Sequence, residues 1–133
     1  MLNGKVVFCY NLAGVARYYV ASKDKLTPGP HTIVYDFKYD GPGLGKGGVG
    51  TIQVDGKTVA TGRIERTLAF RLSLDETLDC GEDTGTPITE DYQVPFKFTG
   101  EIKKVVIDLT PSQLSAEDKA KMKEAEAAIA TAD

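Results

Sequence analysis

Near its start the chain carries three short runs dense in bulky apolar and aromatic residues: KVVFCYN (5–11), ARYYVA (16–21) and HTIVYDFKY (31–39). In the third, Ile33, Tyr35, Phe37 and Tyr39 alternate with Thr32, Val34, Asp36 and Lys38, the period of a strand with one buried face. Turn formers such as Thr27-Pro28-Gly29-Pro30 separate the runs, which predicts successive strands. The block GPGLGKGGVG (41–50) breaks the pattern. Glycine is so dense there that no helix or regular strand interior is expected, and the block reads as a wide connection over the sheet edge. Two alternating runs then flank Asp55-Gly56-Lys57, and Asp-Gly between strands predicts a hairpin over 50–64.

Further on, TLAFRLSL (67–74) sets Leu68, Phe70, Leu72 and Leu74 on one side and Thr67, Ala69, Arg71 and Ser73 on the other, a further strand. YQVPFKFTG (92–100) and IKKVVIDL (102–109) give the last two strand candidates, with Pro95 marking an edge or a bulge. Many short strands with frequent turns and no helix between them predict an all-β fold, an antiparallel two-sheet β-sandwich occupying residues 1–110. From 111 to 133 the chain turns rich in Ala, Lys and Glu and reads as a helical or frayed C-terminal tail. Ser115 suits an N-cap, and Glu117 and Asp118 complement the helix dipole in the first turn. The apolar stripe of Leu114, Met122, Ala125 and Ile129 is thin, so that helix is marginal by itself.

A length of 133 residues allows one core, and 41% apolar with 26% charged residues is ordinary for a folded globular chain. A net charge of -3 offers no general attraction to phosphate backbones or anionic lipid, so neither nucleic acid nor a membrane surface is expected as a partner. No apolar run reaches the roughly 18 to 20 residues of a membrane span, and the first residues lack the pattern of a signal peptide. Cys9 and Cys80 are too few for a disulfide scaffold or, without His31 and carboxylates, for a zinc site. Both read as small, partly buried residues, with a bridge between them left open.

Candidate chemistry concentrates in two places. Gly43-Leu44-Gly45-Lys46-Gly47-Gly48 has the letters of a dinucleotide fingerprint, but a strand follows where a helix must, and Lys46 precedes Gly47 where a phosphate loop needs Ser or Thr. Its functional reading is a rim loop that approaches a ligand, with Lys46 and the neighbouring Tyr39 as binding candidates. The second place is LDETLDCGEDTGTPITEDYQ (74–93), rich in acids, glycines and threonines without apolar period. Asp75 and Glu76 are further ligand-binding candidates, and Asp79, Glu82 and Asp83, near Gly81 and Gly85, are candidate calcium ligands. The spacing is not that of a calcium loop, and the plainer reading is a sandwich connection whose Asp and Thr side chains cap turns. His31, the only histidine, stands at a strand start with no nucleophile in the local sequence.

The ordered pieces YDGPGLGKGG, VDGKTVATGRI, SLDETLDCGEDTGTPITEDY and VPFKFTGEIKKV resemble the C-terminal region of a group of bacterial arylsulfatases, and the likeness spans residues 3–109. In that family this region follows the catalytic domain and is similar to the concanavalin A-like, laminin-G-like jelly-roll sandwich, whose V-D-G-x-x-V hairpin matches Val54 to Val59 here. The resemblance implies a non-catalytic accessory domain of a sulfuric ester hydrolase, packing on the catalytic domain of the same polypeptide and shaping substrate access or oligomerisation. The family's formylglycine arises within C/S-x-P-x-R, and its calcium is held in the catalytic domain. Here Cys9 is followed by Tyr10-Asn11 and Cys80 by Gly81-Glu82, so the enzyme motif is missing and Met1 reads as a start inside a longer protein. The family is often periplasmic or secreted. The rival reading is a free-standing carbohydrate-binding module for acidic or sulfated glycans, with Tyr18, Tyr35 or Tyr39 as stacking platforms, a reading weakened by the absence of tryptophan.

Overall fold

The computed structural model describes residues 1–70, 78–112 and 114–130. The fold is mostly β, built of antiparallel sheets with one C-terminal helix. β1 (Val7–Leu12) and β2 (Ala16–Ala21) form a hairpin, and β3 (Ile33–Tyr39), β4 (Lys46–Val54) and β5 (Lys57–Arg66) form a meander in that order. A two-residue ladder pairs β6 (Glu82–Asp83) with β7 (Phe96–Lys97), and α1 spans Ala116–Ala130.

The Asp55-Gly56 turn joins β4 to β5 as expected. Both residues adopt positive φ, 51° and 80°, the backbone of the tight turn that matches strand twist. The β1–β2 hairpin lies on one face of the meander, and the core forms between them from Val6, Val20, Ile52 and Ile64. Phe8 of the hairpin stacks on Tyr35 of the sheet with ring centroids 3.7 Å apart.

The glycine-rich block departs from the expected open connection, because β4 begins at Lys46 and runs through Gly47, Gly48 and Gly50. Each of these glycines sits where neighbouring atoms leave no room for a Cβ. One built at Gly48 would stand 2.5 Å from the Phe37 ring, and one at Gly50 would stand 2.5 Å from the Tyr35 hydroxyl. Side chains of β3 cross the space that a β4 side chain would fill, so glycine here marks close approach within a sheet.

Two other expectations change. Residues 67–68 are irregular and 69–70 form a bend, while the remainder of the expected 67–74 strand lies outside the described residues. Segment 101–109 is no strand: no described strand pairs with it, and Val105, Val106, Ile107 and Leu109 are 55%, 70%, 64% and 82% exposed. Its composition favours a strand, yet a strand exists only with a ladder partner and covered apolar faces. The helix forms where expected, with Ser115 Oγ accepting the Asp118 amide at 3.0 Å and donating to its carboxylate at 2.8 Å. Among the described residues no helix is long and apolar enough to cross a membrane.

Candidate functional site

The acidic stretch forms a layer over the hairpin. Cys9, Asn11, Arg17 and Tyr19 share the hairpin face turned away from the core, by their register across β1 and β2. Asn11 Nδ2 and Arg17 Nε both donate to the Ile88 carbonyl, at 3.0 and 3.1 Å, and Tyr19 donates to Asp91 Oδ2 at 3.2 Å. Asp91 also accepts from the buried Thr89 hydroxyl at 2.9 Å. Tyr92 donates to Asp83 while accepting the Ile88 amide at 3.0 Å, and its ring packs on Phe96.

Two of the three candidate calcium ligands have side-chain partners within the layer. Asp79 Oδ2 accepts both the amide and the hydroxyl of Thr84, at 3.0 and 3.1 Å. Asp83 is held by Tyr92, and Glu82 sits in β6 opposite Lys97. Among the described residues no group of three or more His, Cys, Asp or Glu side chains converges on a point that would hold a metal ion. Asp75 and Glu76 lie outside the described residues.

Tyr39 and Lys46 are brought together, but through the Lys46 backbone. The Tyr39 hydroxyl donates to the Gly43 carbonyl at 2.6 Å and accepts the Lys46 amide at 3.0 Å, closing the turn between β3 and β4. Tyr39 also borders a cavity of about 720 Å³ with Phe37, Leu44, Leu68, Leu114 and Met122, so the helix and the segment before it face the end of β3. Nearby, Arg63 forks onto Asp40, with its Nη1 3.0 Å from Oδ1, and holds that carboxyl below the usual range.

The aromatic platforms proposed for glycan stacking are in part spoken for. Tyr35 is stacked under Phe8, and its hydroxyl is buried with no hydrogen-bond partner among the described residues; desolvation pushes its pKa up to about 12. Tyr18 packs against the core. Cys9 and Cys80 are both free thiols; Cys9 is half-buried with its pKa raised mainly by burial, while Cys80 is exposed, against the expected partial burial.

One constellation escaped the sequence. His31 Nδ1 lies 2.7 Å from Asp55 Oδ2, and Nε2 lies 2.8 Å from the Thr27 carbonyl oxygen and 3.2 Å from the Thr27 hydroxyl. The order Asp–His–Thr has the outline of a nucleophile triad. The carbonyl fixes a proton on Nε2, however, so that nitrogen cannot accept the hydroxyl proton, and the trio is a clamp. Asp55 and the Thr27 carbonyl together raise the His31 pKa, the Asp55 hydrogen bond contributing most. Asp55 Oδ1 also accepts the Thr32 amide at 2.8 Å, the largest cause of its own lowered pKa. The available signal was the hairpin Asp itself, whose carboxylate caps the neighbouring strand start while its backbone makes the turn.

Comparison with known protein families, with curated proteins and with solved structures returns no match.

Proposed function

We propose that the chain is a non-catalytic accessory domain of an arylsulfatase-like sulfuric ester hydrolase that packs on the catalytic domain of the same polypeptide. The observation that supports this reading most directly is the apolar segment 101–109. Ile102, Val105, Val106, Ile107 and Leu109 are all exposed, and Val105-Val106-Ile107 is a consecutive apolar run of the kind a strand has when both its faces are covered. Beside it in kind, β3 carries exposed Ile33, Val34 and Phe37, and no described strand pairs with its outer edge. Exposed apolar surface in such quantity is characteristic of an interaction face. The finer architecture, a jelly-roll sandwich of the concanavalin A-like kind, belongs to the same proposal, supported by the hairpin lying on the face of the meander.

Chemistry, on this reading, resides elsewhere in the polypeptide, consistent with the lack of C/S-x-P-x-R around Cys9 and Cys80. The test is a polypeptide in which coding sequence continues upstream of Met1 into a domain bearing that motif, assayed on phenyl sulfate. Val105→Asp with Ile107→Asp is expected to lower sulfate release or soluble yield there. A reading frame that begins at Met1, or a double variant as active and soluble as its parent, would overturn the reading. The glycan-module alternative has less support, because Tyr35 and Tyr18 are packed within the fold.

A further inference from the structure

A second cavity, about 580 Å³, opens between loop 22–31 and the β4–β5 turn, far along the sheet from the Tyr39 cavity. Its floor is apolar, formed by Val6, Leu26, Val54 and Val59. Lys23, Lys25 and Lys57 line it, together with His31. The carboxylates facing them are Asp24 and Asp55, and Asp55 is already committed to His31 and to the Thr32 amide. The three lysines form no ion pair among the described residues. The lining thus carries three ammonium side chains against two carboxylates, one of them already bonded to His31, in a protein whose formal net charge is -3.

The backbone that carries these lysines is fixed. Ser22, buried, accepts the Val6 amide on its Oγ at 3.1 Å and donates from it to the Asp24 carbonyl at 2.7 Å. The Leu26 amide donates to the Gly4 carbonyl at 2.7 Å, and the His31 clamp ties the far end of the loop to the hairpin turn. A run of surface lysines is ordinarily a solvated face. Here Lys23 and Lys25 on the pinned loop and Lys57 at the start of β5 border a cavity that apolar side chains also line, and a low-dielectric concave wall strengthens the field that they present. The volume lies within the range of small-molecule sites.

We propose that this cleft binds a small oxyanion ester, a sulfate or phosphate carried on an aromatic ring. The anionic group meets the ammonium groups of Lys23, Lys25 and Lys57, and the ring rests on Val54, Val59 and Leu26. Lysine is a point charge and does not choose between the two oxyanions by geometry, so the shared chemistry defines the site. The site does not depend on the docking face at 101–109, and either reading survives failure of the other.

The test is an amide-resolved NMR titration of the 133-residue chain with phenyl sulfate, phenyl phosphate and uncharged phenol. Saturable shifts confined to residues 22–31 and 54–59 are expected with an ester and not with phenol. Lys25→Gln with Lys57→Gln should weaken binding about tenfold or more while circular dichroism stays that of the folded chain. Raising salt from about 20 to about 200 mM should weaken it as well. Response to only one ester supports the cleft and names its source of oxyanion. No saturable shift with either ester, equal shifts with phenol, or unchanged binding by the double variant would overturn the proposal.

Discussion

A methyl group placed on Gly47 would stand 2.2 Å from the Ile64 carbonyl oxygen, an atom of the neighbouring strand that cannot move without breaking the ladder. Gly47→Ala should therefore cost about 2 kcal/mol or more, the scale of overpacking in a closed site. Gly14→Ala meets open space and strains only a backbone at φ 75°, so about 1 kcal/mol is expected. Urea denaturation of the two variants tests the ranking, and the reverse order would contradict it. At Ile52, only 1% exposed, truncation to Ala should cost about 2–5 kcal/mol in the same assay. His31 makes a different prediction. Its pKa is raised on folding, so its clamp contributes fully below the unfolded value, about 6.5, and the contribution fades as pH rises through the higher folded value. The thermal midpoint should fall across that window in the native chain and fall less in His31→Gln; parallel curves would contradict the clamp. Alternation located β3 but only half of its buried face: Tyr35 and Tyr39 are half-buried, while Ile33 and Phe37, expected on the same covered face, are exposed because no described layer covers them. The glycines of β4 were misread because glycine breaks a strand pattern and also permits close approach. The Tyr35 and Phe37 side chains, crossing from β3 to Gly50 and Gly48, and the β5 carbonyls beside Gly47 decide between the two.

Among the elements, hairpins could be read and layers could not. The Asp55-Gly56 turn fixed the β4–β5 pairing because its two positive-φ residues permit little else. That the acidic stretch covers the β1–β2 hairpin depends on contacts about seventy residues apart in sequence, such as Tyr19 to Asp91, which no local pattern encodes. The carboxylates of this layer serve turns: Asp79 holds Thr84, Asp83 holds Tyr92, and Asp91 holds Thr89 and Tyr19. The thermal midpoint should accordingly be the same in calcium as in chelator, because a cation bound only by the native state would raise it. A rise with calcium would contradict this assignment and return Asp79, Glu82 and Asp83 to the role of ligands. The coupling itself should appear in a double-mutant cycle of Tyr19→Phe and Asp91→Asn, whose effects on unfolding should fall short of additive.

Across the whole molecule, the unequal treatment of apolar residues is the feature that most needs a cause. Val6, Val20, Ile52 and Ile64 are buried between hairpin and meander, while five large aliphatics in 101–109 remain in water. Sequence pattern identified that segment as strand material, and its composition is right for one. What it lacks is a partner among the described residues; on the proposed docking that partner belongs to another domain, which would leave no trace in the sequence of this one. Hydrogen exchange at the amides of residues 101–109 tests the docking claim most directly, measured in the 133-residue chain and in a polypeptide that continues upstream into a sulfatase catalytic domain. The account predicts fast exchange in the chain alone and slowing by about a hundredfold or more in the longer polypeptide, where pairing and burial protect the segment. Equal exchange in both would contradict it.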